Sequence, residues 1–237
     1  MKKIIVIAFA LMVSLTSAQA QKKSSATKIK SGATTEHTEA QPASTASKII
    51  KLSEPVVGID KPLIEVMKSR RTERNFSEDK LDNELISSLL WCTYGFNRPE
   101  EGRRVVPSAV NVQEFDIYLF DREGAYKYNA KSNTLHLVVA GDHRAKISAQ
   151  PHFAVAPVSI VIVANYERMK QFKAEADRDF YASVDCGYVS QNIYLYATAA
   201  QLGTVACGGI DREAISKRLG LKNAKPMLAH PVGFPQE

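Results

Sequence analysis

Three cysteines, one tryptophan and no apolar run of membrane-spanning length already narrow what these 237 residues can do. Cys92, Cys186 and Cys207 lie far apart, with no C-x-x-C pair and no cysteine–histidine grouping at metal-ligand spacing, so zinc-ribbon and dithiol chemistry have no support. The odd count leaves one thiol over from any disulfide, and buried free thiols are the simpler expectation. G-x-x-x-x-G-K-[ST], G-x-G-x-x-G, G-x-S-x-G and H-E-x-x-H are all missing, which removes P-loop, dinucleotide-fold, serine-hydrolase and zinc-protease readings. His37, His136, His143, His152 and His230 are scattered, so no metal site is expected.

Positive charge is also scarcer than the net +6 suggests. Lys2 and Lys3 supply two of those charges, and residues 21–55 supply a further three net, which leaves one for everything after Pro55. A nucleic-acid-binding domain concentrates its charge on a folded face, so no nucleic-acid partner is expected.

The first twenty residues have a basic start, an apolar run from Ile4 to Val13 and the small-residue ending Ala18-Gln19-Ala20, the layout of a secretory signal peptide cleaved near Ala20. That run is about half of the roughly 20 residues a spanning helix needs, so an exported, periplasmic protein without stable membrane insertion is expected. Residues 21–55, rich in Ser, Thr, Ala, Lys and Gln, cannot bury enough apolar surface to offset ordering entropy and are expected to be a disordered polar linker. Residues 56–237 are long enough for one core-bearing domain.

Within that domain Asp60-Lys61-Pro62 opens a helix whose apolar stripe is Leu63, Ile64, Val66 and Met67. A second helix spans 82–94 and stops at Gly95. The period then changes, and strands are expected at 115–120, 125–128, 134–139 and 158–163, with a short helix at 142–149. Helices follow at 166–180 and 184–202, then a strand at 204–207, a helix from Asp211 to about Gly220, and a last strand at 227–233. Grouped rather than alternating elements imply α+β, with one sheet between helical layers.

Three segments carry potential chemistry. Arg70, Arg71, Thr72 and Arg74 gather fixed positive charge and a hydroxyl, and guanidinium forks match phosphate oxygens. Pro107, Ser108 and Ala109, with Asn111 and Gln113, form a loop of small and amide-bearing residues that a flat ring could approach. Ala206-Cys207-Gly208-Gly209 places paired glycines ahead of the Asp211 helix, where the backbone can come near a ligand with its N–H groups.

In this order and spacing the three segments resemble the FMN-dependent nitroreductase family: Arg70 to Phe76 its Arg-rich phosphate motif, Pro107-Ser108-Ala109 with Asn111 and Gln113 its flavin-facing loop, and Leu202 to Gly209 the segment along the isoalloxazine. The resemblance covers about 63–234. Leu89-Leu90-Trp91 with Tyr94-Gly95, Tyr126 to Asn129 and Ala140 to Arg144 are similar to the branch containing the peptide thiazole/oxazole dehydrogenases. The resemblance implies a nitroreductase-like three-layer α-β-α sandwich with a mainly antiparallel sheet, forming a homodimer with FMN at its interface. Arg70, Arg71, Thr72 and Arg74 of one chain would hold the phosphate and ribityl side, Pro107, Ser108 and Ala109 would come from the other, and the backbone at Cys207, Gly208 and Gly209 would lie near the ring. Many members place a basic residue after the final strand, whereas Val232-Gly233-Phe234-Pro235 is followed here by Gln236-Glu237, implying a weaker phosphate grip.

The resemblance further implies hydride transfer through the flavin from a reduced donor, NAD(P)H or another, to a nitroaromatic, quinone or similar small-molecule acceptor, with no protein acid or base assigned. Two alternatives stand beside it: a flavin-binding protein without turnover, and a peptide-modifying azoline dehydrogenase.

Overall fold

The computed structural model describes residues 48–56 and 60–236. The expected signal peptide and linker residues 21–47 lie outside the described residues. In chain order the elements are β1 Ile49–Lys51, α1 Leu63–Ser69, α2 Asn83–Tyr94, β2 Phe96–Arg98, β3 Arg103–Arg104, β4 Phe115–Phe120, β5 Gly124–Asn129, β6 Thr134–Ala140, α3 His152–Val155, β7 Val158–Asn165, α4 Glu175–Ala199, β8 Gly203–Thr204, α5 Arg212–Leu219 and β9 Ala224–Gly233.

Seven strands form one sheet in the order β1-β6-β5-β4-β7-β9-β8, every neighbouring pair antiparallel. Its central strands are buried on both faces, because side chains alternate across a strand and both sides are covered by helices. Phe115, Ile117, Leu119, Ile160 and Ile162 pack with Leu89 and Leu90 of α2 and Val189 and Ile193 of α4. Tyr118, Phe120, Val161 and Val163 face the other way, onto Phe153 of α3 and Ile215 and Leu219 of α5. Each such side chain contributes roughly 1.5–3 kcal/mol on burial, and the result is the α-β-α sandwich with a mainly antiparallel sheet.

Two helices start and stop where their end chemistry indicates. The Asp82 carboxylate accepts the Leu85 N–H at 2.8 Å and opens α2. The Asp211 carboxylate accepts the Ala214 N–H at 2.9 Å and opens α5, which closes on Gly220 in the left-handed region. Four expectations are corrected. The sheet begins inside the span read as linker: Ile49 to Lys51 pair with Thr134 to His136, and Leu52 is buried behind them. The expected helix at 142–149 is one 3-10 turn, Arg144–Lys146, because the Asp142 carboxylate is taken up by the Arg144 guanidinium at 2.7 and 3.0 Å. The helices expected at 166–180 and 184–202 become a 3-10 turn, Tyr166–Arg168, followed by the single 25-residue α4. A mid-helix glycine such as Gly187 costs about 1 kcal/mol, which burial of Cys186, Val189, Ile193 and Ala197 along the same helix outweighs. The expected strand at 204–207 shortens to Gly203–Thr204, with a separate bridge between Cys207 and Ala229. The hairpin of β2 and β3 carries too few apolar alternations to be visible in sequence.

Among the described residues no helix is long and apolar enough to cross a membrane, and no cluster of three His, Cys, Asp or Glu is placed to hold a metal ion.

Candidate functional site

The arginine-rich run leaves α1 at Arg70, whose own N–H closes the helix onto the Val66 carbonyl. It is held against β8: the Glu73 N–H donates to the Thr204 carbonyl at 2.9 Å, and a Cβ at Gly203 would come within 2.6 Å of the Glu73 Cγ, so glycine is what lets the two segments lie together. Glu73 takes up the local backbone donors, accepting the Asn75 and Arg74 N–H groups at 2.9 and 2.8 Å, and those bonds hold its carboxyl below the usual range. Arg71, with a side chain 77% exposed, stands 3.8 Å from the Glu73 carboxylate. Among the described residues neither Arg70 nor Arg74 is paired with a carboxylate.

Tyr194 of α4 joins this run to the glycine segment. Its hydroxyl accepts the Ala206 N–H at 2.9 Å and stands 3.2 Å from the Thr72 hydroxyl, while the Arg70 guanidinium lies 5.2 Å from its ring centroid. No local signal distinguishes Tyr194, since its partners are 122 and 12 positions away. Replacing it with phenylalanine keeps the ring and strands the Ala206 N–H, so a loss of about 1–2 kcal/mol in stability is expected from that single bond. Urea unfolding of Tyr194→Phe checks this, and any ligand held by Thr72 and Ala206 should bind roughly tenfold more weakly, as 1.4 kcal/mol is a factor of ten.

Behind Tyr194 its ring meets His230 edge to face at 5.5 Å between centroids. His230 is fully buried, and that burial pushes its pKa down to about 3, so it is neutral. The Thr204 hydroxyl donates to the Pro231 carbonyl at 2.9 Å and therefore accepts from Nδ1–H of His230 at 3.3 Å, which leaves Nε2 to accept from Ser190 at 2.9 Å.

On the other side of the glycine segment, Arg74 opens onto a cleft of about 480 Å³ lined by Asn75, Phe76, Gln150, His152 and Val155 among others. The buried Cys207 Sγ lies 3.6 Å from His152 Nε2. Burial raises the Cys207 pKa despite Arg74, and burial and Arg74 together lower that of His152. Thiol and imidazole are thus both uncharged at neutral pH, and Cys207 is no thiolate nucleophile.

Gly208 and Gly209 are exposed, and a Cβ added at either would meet nothing nearer than 3.7 and 3.5 Å. Neither has a positive φ, and neither N–H finds a protein acceptor among the described residues. The chain's own packing does not require glycine there. A flat group approaching from outside would, and together with Arg70 and Arg74, unpaired among the described residues, and the Thr72 hydroxyl such a surface would suit a planar ligand ending in a phosphate.

Pro107, Ser108 and Asn111 stand apart, lining a separate cleft with Asn97, Arg98 and Arg103 that includes none of residues 70–74 or 206–209, and Ala109 lies between them in the same loop. One chain does not bring the two groups together. Within the loop Val110, Asn111 and Gln113 all have left-handed φ, at 46, 57 and 52°. For a β-branched residue such as Val110 that is strained. Gln113 is taken up internally, its amide donating to the Gly102 carbonyl at 2.6 Å and accepting from Arg104 at 2.9 Å.

The three further segments singled out in sequence make contacts within the fold, and Lys127, Tyr128 and Asn129 also line a separate cleft of about 540 Å³ with Arg104 and Arg168. The Trp91 indole donates to the Phe96 carbonyl at 3.2 Å, and a Cβ at Gly95 would strike the Trp91 ring at 2.5 Å. Tyr126 and Tyr128 are buried, and Lys127 pairs with Asp116 at 2.9 Å. Arg144, buried, donates to the Ala156 carbonyl and to Asp142.

Residues 67–234 match the family model described as "Nitroreductase family". A protein of Methanocaldococcus jannaschii described as a nitroreductase is 34% identical over 182 residues, 72% of this chain and 90% of that protein. A crystal structure of a nitroreductase-type protein from Ralstonia eutropha superposes with TM-score 0.75 at 29% identity, over 80% of this chain and 90% of that one. The NADPH:FMN oxidoreductase of Vibrio harveyi, complexed with NAD+, shares the fold at TM-score 0.54 and 18% identity, over 74% of this chain and 69% of that one.

Proposed function

The chain belongs to the nitroreductase family of oxidoreductases, and we propose on that footing that it is an FMN-dependent oxidoreductase working as a homodimer. The observation that carries the proposal is that Arg70 and Arg74 have no carboxylate partner among the described residues, while Arg70 and the Thr72 hydroxyl meet Tyr194, which holds the Ala206 N–H ahead of two exposed glycines. Bound FMN would supply hydride transfer between a reduced donor, such as NAD(P)H, and a small acceptor such as a nitroaromatic or quinone. Arg70 and Arg74 would neutralise its phosphate with Thr72 donating to it, Arg71 would add a longer-range charge, and the Gly208 and Gly209 N–H groups would lie against the ring. Uncharged Cys207 and His152 leave no second ion beside that ring.

The homodimer is supported by where apolar surface is left open. Leu63, Ile64 and Met67 of α1 are 52 to 61% exposed, and Phe180, Val184 and Tyr188, one turn apart along α4, are 41 to 62% exposed. Such patches on a monomer's surface mark an interface, and a second copy would bring Pro107, Ser108, Ala109 and Asn111 to a site that one chain leaves one-sided. No observation in this structure favours the azoline-dehydrogenase alternative. Export through residues 1–20 belongs to the proposal and leaves the physiological donor open, since NAD(P)H is a cytoplasmic reductant.

The test is to mix the FMN-loaded full chain anaerobically with NADH or NADPH. Bleaching of the flavin colour is the expected result, and colour retained with both donors favours the flavin-binding protein without turnover.

A further inference from the structure

Two acidic side chains are buried behind the Pro107–Gln113 loop with too few donors for two charges. Glu114 is fully buried, and neither of its carboxyl oxygens has a donor among the described residues. Asp185 of α4, 3% exposed, accepts the Ala109 N–H at 2.7 Å and stands against Glu114. Two ionised carboxylates are both acceptors and cannot bond to each other, whereas one proton between them satisfies both. The geometry also fixes the main chain at this point. Arg168 donates to the Gln113 and Phe115 carbonyls at 3.2 and 3.0 Å, and the Glu114 carbonyl accepts the Asn165 N–H at 2.9 Å, so the Glu114 side chain cannot swing out to water without breaking the start of β4.

We propose that Glu114 and Asp185 share one proton, and that this pair makes Asp185 the positioning residue that holds the Pro107–Gln113 loop through the Ala109 N–H. Its bearing on flavin retention rests on the function proposed above, because that loop is the part a partner copy would present to FMN. Losing the shared proton places two negative charges side by side in a dry site, and the loop, already strained at Val110, is the element free to give way.

The groups facing the pair set where this happens. Arg168 from the 3-10 turn attracts charge on Glu114, but its guanidinium is already engaged by Asp116 at 2.5 Å. Cys186 of α4 and Tyr94 of α2 also face Glu114, and both are neutral, their pKa values raised by burial. Desolvation therefore dominates, supported by the negative Asp185, and Glu114 is pushed from 4.5 up to about 7. The sign follows: the folded arrangement binds the proton more tightly than an opened one, so the closed loop is favoured below the ordinary carboxylate range, weakens as pH rises toward 7 and changes no further above it.

Hydrogen exchange of the 107–113 amides in the full chain, corrected for intrinsic exchange, is the test, run with and without FMN. Protection is expected to fall by up to about tenfold per pH unit between pH 5 and 7 and then level off. Glu114→Gln, whose amide can donate to Asp185 at any pH, should hold protection constant across that range. Should it fail to fold, Asp185→Asn keeps an oxygen for the Ala109 N–H, removes the second charge and should flatten the profile likewise. Wild-type protection that is flat, or a slope unchanged in the folded variant, overturns the proposal. FMN affinity is expected to follow the same pH profile. An absence of FMN binding at every pH would overturn the function proposed above, while the exchange profile without FMN would still decide the carboxyl pair.

Discussion

Changing Arg70 and Arg74 together to alanine is expected to weaken FMN binding by at least about a hundredfold while leaving the fold intact. Each guanidinium would give the phosphate a charge-assisted hydrogen bond of roughly 1.5–3 kcal/mol, and the two together reach about two decades even at the low end. The stability effect is small because neither side chain has a carboxylate partner among the described residues and the Arg70–Tyr194 contact is a partly exposed cation–π pair, of the kind worth about 0.5–1 kcal/mol. Arg71→Ala should cost less affinity, because that side chain is mostly in water and leans toward Glu73. Titrating FMN into the three proteins by fluorescence quenching checks the order, and equal affinities would remove the arginines from the phosphate site.

The second large effect is an acid-side loss of stability that belongs to His230. Its folded pKa is depressed from 6.5 to about 3 by complete burial, so the unfolded chain binds a proton in that interval and the folded chain does not. Stability contributed by the neutral ring is therefore fully present above about 6.5 and is lost as pH falls, up to about 5 kcal/mol by pH 3 at 1.36 kcal/mol per pKa unit. Glu114 has the opposite sign between 4.5 and 7. The two slopes largely offset each other over their shared window, and the visible decline begins below about 4.5. His230→Asn separates them. Its amide can still donate to Thr204, but Ser190 loses its acceptor, so the variant should be about 1–3 kcal/mol less stable at pH 7. That gap should close on acidification, because the variant has no ring to protonate. Urea unfolding across pH 4 to 8 measures it, and a gap that does not change with pH would show that His230 titrates normally.

What was legible in the sequence was local. Asp82 with Gly95 and Asp211 with Gly220 announced α2 and α5 because a capping carboxylate and a stopping glycine act within one turn. The β-branched run at Val158 marked β7 because a strand buried on both faces has no polar side to conceal it. The gap expected at 181–183 is absent because Ala182, Cys186 and Val189 are buried along one continuous α4. The Arg70 to Arg74 run was visible as charge, yet which of its members is free depends on Glu73, which engages Arg71 and the turn's own backbone. Tyr194, Glu114 with Asp185, and His230 with Ser190 were not legible at all. Each acts on a partner brought in by the fold from another element, and nothing in the local pattern separates Tyr194 from Tyr196 two positions on, which is buried core.

The measurement closest to the central claim is the visible absorption spectrum of the full chain as purified, followed by addition of FMN to any colourless fraction. Flavin bands that stay with the protein through gel filtration, or appear on adding FMN, are the predicted result. A folded protein that is colourless and takes up no FMN would contradict the assignment of Arg70, Thr72 and Arg74 to a flavin phosphate, and with it the proposed activity.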